Sequence, residues 1–283
     1  MIITRLQGGL GNQMFQYAIA RKLSIKNKDV FKLDLSFYTP GNKRSFDLNG
    51  FKIVENIATT EDIRRVKLPY GSVSRLMIEF KTHVLRIFNI GYVPSVLEKK
   101  GDIYLDGFWQ DERYFADIRE TILSDFALKD QLTGAPAMVL EKIKNTDNSV
   151  SLHVRRGDYV GEKVTNAYWG TCGSDYYNRA IAILKKNIDS FTLFVFSDDI
   201  AWVKENLPFD VPVIYVSGYN TTNCQELTLM AACDHNVIAN SSFSWWAAWL
   251  NQNPDKVVVA PKRWQLKSPN LSKDIVPNSW IRT

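Results

Sequence analysis

From residue 150 onward, short apolar runs alternate with stretches whose apolar residues recur at helical spacing. Residues 150–154, 192–196, 212–216, 237–239 and 256–260 are short, rich in β-branched residues and bounded by turn formers, and they read as strands. Between them, residues 175–186, 199–206 and 224–233 read as helices, as does a serine-started stretch reaching Asn251. That last stretch carries Phe243, Trp246, Ala247 and Leu250 at i, i+3, i+4 and i+7, with Trp245 and Trp249 as a second apolar stripe. A helix apolar on so many sides is expected to be buried nearly all round. Its tryptophans either fill the core or stack on a ligand. Strand–helix alternation with short turns predicts a doubly wound parallel sheet.

The first half is less regular. Residues 2–6 read as a strand, then come the loop Gln7-Gly8-Gly9-Leu10-Gly11, a helix, and a second strand at 30–34. From 42 to 100 the pattern blurs. Within it, Leu76, Phe80, Val84 and Ile87 lie at helical spacing in a basic stretch, 74–90, that would cover the sheet, pack on a partner or rest on lipid. The stretch 134–148 ends in the turn-rich Asn145-Thr146-Asp147-Asn148-Ser149 and is the expected linker, giving domains 1–145 and 146–283.

Three loops carry the candidate chemistry. His153-Val154-Arg155-Arg156-Gly157-Asp158-Tyr159 follows a predicted buried strand. In an open α/β sheet, the loops after the strands are where ligands bind. Two guanidiniums there either grip an anion, for which arginine's rigid fork of donors is suited, or pair internally with Asp158. The glycine loop offers close backbone approach and the start of a helix. Its spacing matches neither the dinucleotide fingerprint nor a phosphate loop, and glycines also serve tight strand-to-helix turns. Asn240-Ser241-Ser242-Phe243-Ser244 opens the tryptophan helix, where a serine caps it and hydroxyls with helix N–H groups make a neutral anion cradle.

Composition narrows the class. At 283 residues, with 45% hydrophobic and 12% aromatic residues, the chain supports two modest domains or one large one. A net charge of +5 suits an anionic ligand or membrane surface, and is too scattered for a nucleic-acid binder. Cys172, Cys224 and Cys233 have no metal-ligand spacing, and an odd number of dispersed thiols suits a reducing cytosol. No signal peptide and no run of membrane-spanning length is evident. The expectation is a cytoplasmic protein, with peripheral inner-membrane contact open.

Together, the run Gly8 to Ala18, the motif His153 to Tyr159 and the run Asn240 to Leu250 resemble the family 11 glycosyltransferases, the bacterial α-1,2-fucosyltransferases. The resemblance covers residues 1 to about 265. It implies an α/β GT-B-type fold, two Rossmann-like domains facing a central cleft, with the donor bound by the second and the acceptor on the side of the first. It also implies a GDP-β-L-fucose donor, inversion at the anomeric carbon, no metal or cofactor, and an oligosaccharide acceptor ending in galactose. Transfer leaves charge on the β-phosphate, which fixed donors must stabilise. By this resemblance Arg155 is the phosphate ligand, helped by Asn12, Ser241 and Ser242. Gly9, Gly11, His153, Arg156, Ser197, Asp199, Phe243 and Ser244 fall to the donor site, with Arg156 alternatively structural and Asp199 alternatively a helix cap. Asp234 is the carboxylate for guanine, or else ends its helix. Asp158, Asp106 or Asp111 is the candidate base. Asp158 is preferred, its alternative role being to orient Arg155. The aromatic segment around Asp106, Trp109 and Gln110 is suited to the acceptor sugar. The adjacent pair in Ser197-Asp198-Asp199 is not the i, i+2 carboxylate pair of metal-dependent transferases. Two other readings stay open: the same fold with another donor or linkage, and a non-catalytic nucleotide or glycan binder.

Overall fold

The structure, a computed structural model, describes residues 1–67, 92–157, 170–216, 221–265 and 275–283. Residues 74–90 and Asp158 lie outside the described residues. The chain divides into two compact units, Met1–Lys129 and Asp130–Thr283.

The first unit is built on a three-stranded parallel sheet. Strands β1 (Ile2–Arg5), β2 (Phe31–Asp34) and β3 (Ile103–Leu105) lie in the order β2-β1-β3. Helix α1 (Leu10–Asn27) makes the crossover between β1 and β2 and buries Met14, Phe15, Tyr17, Ala18, Ile19 and Leu23. It stops at Lys28, whose left-handed backbone (φ 52°) returns its N–H to the Ile25 carbonyl. Helices α2 (Thr60–Lys67) and α3 (Arg119–Asp125) complete the α-helices of this unit among the described residues, beside short 3₁₀ turns. Asp125 ties α3 to α1 by accepting from Tyr17 Oη and Arg21 Nε, both at 2.8 Å.

The second unit opens with α4 (Gly134–Lys144), which packs on a later helix of the same unit; the stretch expected to be a linker is part of this unit. There follow β4 (Ser149–Val154), α5 (Ser174–Asn187), β5 (Thr192–Ser197), α6 (Ile200–Asn206), β6 (Val213–Tyr215) and α7 (Asn223–Ala231). Then come β7 (His235–Val237), α8 (Ser242–Leu250), β8 (Val258–Ala260) and β9 (Ile281–Arg282). The six strands are all parallel in the order β6-β5-β4-β7-β8-β9. Strand order therefore reverses between β4 and β7, which makes that gap the topological switch point where such sheets bind ligands. Every residue of β4 is buried, as befits the centre of a two-faced sheet. Strand β9 was not anticipated, because two exposed residues carry no periodicity.

Helix α8 is buried as expected, and its tryptophans are core. Trp245 and Trp249 lie parallel at 6.4 Å, Trp246 meets both edge-on at 5.2 Å, and Trp245 Nε1 donates to the Ile275 carbonyl at 2.7 Å. The alternative of ligand stacking therefore gives way to packing. Among the described residues no helix is long and apolar enough to cross a membrane.

Candidate active site

In the second unit, the ends of β4 and β5 run on in register. His153 pairs with Phe196 and Val154 with Ser197, so the next residues, Arg155-Arg156 and Asp198-Asp199, face one another. Arg155 Nη1 lies 2.8 Å from Asp198 Oδ2, and the Arg156 main-chain N–H donates to Asp198 Oδ1 at 2.9 Å. Arg155 is thus held by Asp198, a carboxylate the sequence reading had set aside. Gly157 completes the turn: a Cβ there would lie 2.7 Å from Asp198 Oδ2, so only glycine leaves room.

Arg156 is engaged locally. Its Nε donates to Asp199 Oδ2 at 3.2 Å and its guanidinium lies 3.9 Å over the Trp202 ring. Asp199 caps α6, accepting from the Trp202 N–H at 3.1 Å, and its own N–H donates to Ser197 Oγ. Both side chains are engaged locally, in the packing and capping arrangement that the sequence reading left open as their alternative roles. His153 is buried, its carbonyl accepts from Tyr177 Oη at 3.1 Å, and its ring lies 5.7 Å from Phe243. Burial first, and the positive Arg155 second, push its pKa down to about 3, so the imidazole is neutral at ordinary pH.

Across the switch point, Ser241 caps α8 by accepting from the Phe243 N–H at 3.3 Å. Ser244 is buried and donates to the Ser241 carbonyl at 3.4 Å, so it braces the cap and does not face a ligand. Ser242 and Phe243 are partly exposed at the helix start.

Asp234 is elsewhere. Its Oδ2 accepts from the Ser149 N–H (2.8 Å) and Oγ (2.9 Å), stitching the start of β7 to the start of β4. In a parallel sheet that is the edge opposite the switch-point loops, so Asp234 does not belong with Arg155. The carboxylate that does is Glu226, in the first turn of α7. Burial raises its pKa, as does the charge of Asp198, while a hydrogen bond from Thr221 and the charge of Arg155 oppose the rise. Sequence reasoning missed it, yet the signal existed. A helix that follows a strand starts at the ligand edge, and Thr222 with Gln225 forms a capping box that fixes this helix start at Asn223, three residues before Glu226.

In the first unit, the glycine loop is pinned from several sides. The Gly8 carbonyl accepts from Gln13 Nε2 (3.1 Å) and Tyr38 Oη (3.0 Å), and Gln16 Oε1 accepts from the Gln7 N–H (2.9 Å). Gly8 has φ +80°, and a Cβ there would meet Asn12 Nδ2 at 2.6 Å. Gly9 precedes α1 with no side-chain cap, and Gly11 is buried in the first turn. Asn12 Oδ1 accepts from Gln110 Nε2 at 2.9 Å, so these two predicted site residues do meet.

The aromatic segment after β3 is turned by Trp109, which has a left-handed backbone (φ 52°). The alternation of β3 nevertheless continues through it, with Ile103, Leu105, Gly107, Trp109 and Asp111 buried, leaving Trp109 2% exposed against Tyr114 while Phe108 is 40% exposed. The acceptor role expected of Trp109 is corrected accordingly: its ring is core. Asp106 lies 3.6 Å from Arg5 Nη1 at the ends of β3 and β1. Asp111 is buried, accepts from the Arg113 N–H and guanidinium, and so is not a base candidate.

The glycosyl transferase family 11 model matches residues 1–283. The chain is 32% identical to an α-1,2-colitosyltransferase of Escherichia coli, over all of this chain and 98% of that one. It is 34% identical to the O-antigen biosynthesis glycosyltransferase WbnK of Escherichia coli, over 98% of both. A galactoside α-(1,2)-fucosyltransferase 1 of Leontocebus fuscicollis is 25% identical over 86% of this chain and 63% of its own length. Among solved structures, the fucosyltransferase NodZ from Bradyrhizobium superposes with a TM-score of 0.51 at 13% identity, covering 87% of this chain and 91% of that one. The fold is therefore the α/β GT-B type, and the chain belongs to glycosyl transferase family 11.

Proposed function

We propose that the chain is an inverting, metal-independent transferase that moves L-fucose from GDP-β-L-fucose to the 2-hydroxyl of a terminal β-galactoside in an O-antigen-type oligosaccharide. The observation that carries this reading is Arg155, fixed by Asp198 at the β4/β7 switch point, with the start of α8 across the gap. As the glycosidic bond breaks, charge grows on the β-phosphate. A preorganised guanidinium, helped by Ser242 and the N–H groups at the start of α8, stabilises that charge. Loss of one such donor raises the barrier by about 3 kcal/mol. Glu226 takes the place first given to Asp234: as a carboxylate it accepts from N1–H and the exocyclic amine of guanine. In the first unit, Asn12 held by Gln110 supplies a polar group for the donor, and Asp106 stands as the base candidate among the described residues.

A second reading follows from the colitosyltransferase relative. Colitose differs from fucose by lacking the 3-hydroxyl, so the two donors share the diphosphate and guanine contacts described above. Purified protein is incubated with lactose, EDTA and either GDP-L-fucose or GDP-colitose, and GDP release and product linkage by NMR are read. An α-1,2-fucosylated product with the larger kcat/KM supports the proposal. Preference for GDP-colitose selects the second reading, and no transfer from either, over a panel of β-galactosides, overturns both.

A further inference from the structure

A pocket of about 680 Å³ opens in the Asp130–Thr283 unit, beside the ends of β7, β8 and β9 and the start of α5. Of the charged side chains on its walls, four are cations, Arg179, Lys262, Arg263 and Arg282, and one is a carboxylate, Asp175. Arg155, Asp198, Glu226 and Ser242 do not line it.

These cations come from three places in the chain: α5, the loop after β8, and β9. Arg179 Nε donates to Thr283 Oγ1 at 3.2 Å and Arg282 Nη2 to the Val276 carbonyl at 2.5 Å, both neutral acceptors. Among the described residues, Arg179, Lys262 and Arg263 form no ion pair with a carboxylate side chain. Elsewhere the chain does pair its cations: Lys26 with Glu98, Lys32 with Asp62, Lys129 with Glu55, Lys185 with Asp210. Converging like charges on a concave surface is unfavourable for folding and raises the local concentration of anions. The volume falls in the range of ligand sites, and forked guanidiniums next to an ammonium suit tetrahedral oxyanions.

We propose that this pocket is a second anion site, separate from the clamp at Arg155, that takes a phosphate or diphosphate ester. The ester is either carried by the acceptor glycan or is a free phosphate compound; the oxyanion chemistry is shared. The site stands without the donor assignment made above.

The probe is inorganic pyrophosphate, titrated by calorimetry into the full chain with and without saturating GDP. Lys262→Ala/Arg263→Ala, both exposed positions, should weaken pyrophosphate binding at least tenfold with an unchanged melting temperature, whereas Arg155→Ala should leave a pyrophosphate site intact. Pyrophosphate should still bind when GDP is saturating. Full displacement by GDP, or equal affinity in the double variant, overturns the proposal. A protein that binds no GDP yet loses pyrophosphate with the double variant sinks the donor reading and keeps this one. The source is read from KM for a β-galactoside bearing a phosphate ester against its neutral parent. A KM advantage abolished by the double variant places the ester on the acceptor, and equal KM values with retained pyrophosphate binding place it on a free ligand.

Discussion

Gly157→Ala tests whether Asp198 sets the catalytic geometry. The new methyl carbon would stand 2.7 Å from Asp198 Oδ2, inside the closest approach that real side chains show, and a tight 3.2 Å from its Cγ. Asp198 cannot yield without cost, because Oδ2 faces Arg155 Nη1 at 2.8 Å and Oδ1 accepts from the Arg156 N–H at 2.9 Å. The carboxylate must turn, and Arg155 loses its anchor. A charge-assisted hydrogen bond is worth about 1.5–3 kcal/mol. If that preorganisation is lost in the transition state, kcat/KM falls roughly 10- to 100-fold. Stability should fall by no more than that interaction is worth, partly offset because alanine restricts the unfolded chain. The assay is GDP release under steady-state conditions, beside a thermal melt. A double-mutant cycle sharpens it: once Asp198→Ala has removed the obstructing carboxylate, adding Gly157→Ala should cost almost nothing further. Full additivity of the two substitutions, or kcat/KM within twofold of the parent for Gly157→Ala alone, would refute the coupling.

Glu226→Gln should weaken GDP binding by 10-fold or more (roughly 1.4 kcal/mol) while stabilising the fold, because a desolvated carboxyl is replaced by a neutral amide; calorimetry with GDP against GMP-free buffer and a thermal melt read the two effects, and unchanged GDP affinity removes the guanine role. Gln110→Glu keeps size but cannot donate to Asn12, so kcat should drop about fivefold, from roughly 1 kcal/mol of lost hydrogen bond, with GDP affinity unchanged; an equal drop in GDP affinity would show a purely structural role. His153 has a folded pKa near 3, far below the ordinary histidine value. The unfolded chain therefore binds the extra proton first, and stability is complete above about pH 6.5 and declines toward pH 3, by up to about 1.4 kcal/mol per pH unit. His153→Gln should flatten the fall in melting temperature between pH 6.5 and 5, and an unaltered slope would show that His153 does not couple to folding.

The second unit was legible because its signals are local. Apolar runs and helical spacing placed β4, β5, α5, α6 and α8 within a residue or two, and Ser241 was readable as a cap. What was not legible depends on which residues a sheet brings side by side. Asp234 and Glu226 are eight positions apart in sequence, and both are plausible guanine ligands by residue type. One precedes a strand and the other opens a helix, so parallel topology sends them to opposite edges. Trp109 failed for another reason. Its ring continues the buried alternation of β3, at positions 103, 105, 107, 109 and 111, beyond the strand's last paired residue, and an aromatic-rich segment reads equally as a sugar-contact surface or as core.

The pair Arg155-Arg156 shows how identical side chains acquire different work. Their partners are also adjacent and identical, Asp198-Asp199, and parallel register delivers each arginine to its own aspartate. The second pair is closed off: Asp199 also caps α6, and Trp202 covers the Arg156 guanidinium. The first pair sits next to the strand-order reversal. The locked pair fixes where the β4 and β5 loops lie, and so fixes where the neighbouring guanidinium points. Replacing Arg156 by lysine would keep the charge and lose the flat stacking surface. The consequence should appear at Arg155, as a lower kcat without loss of the fold, although Arg156 itself touches no substrate in this reading.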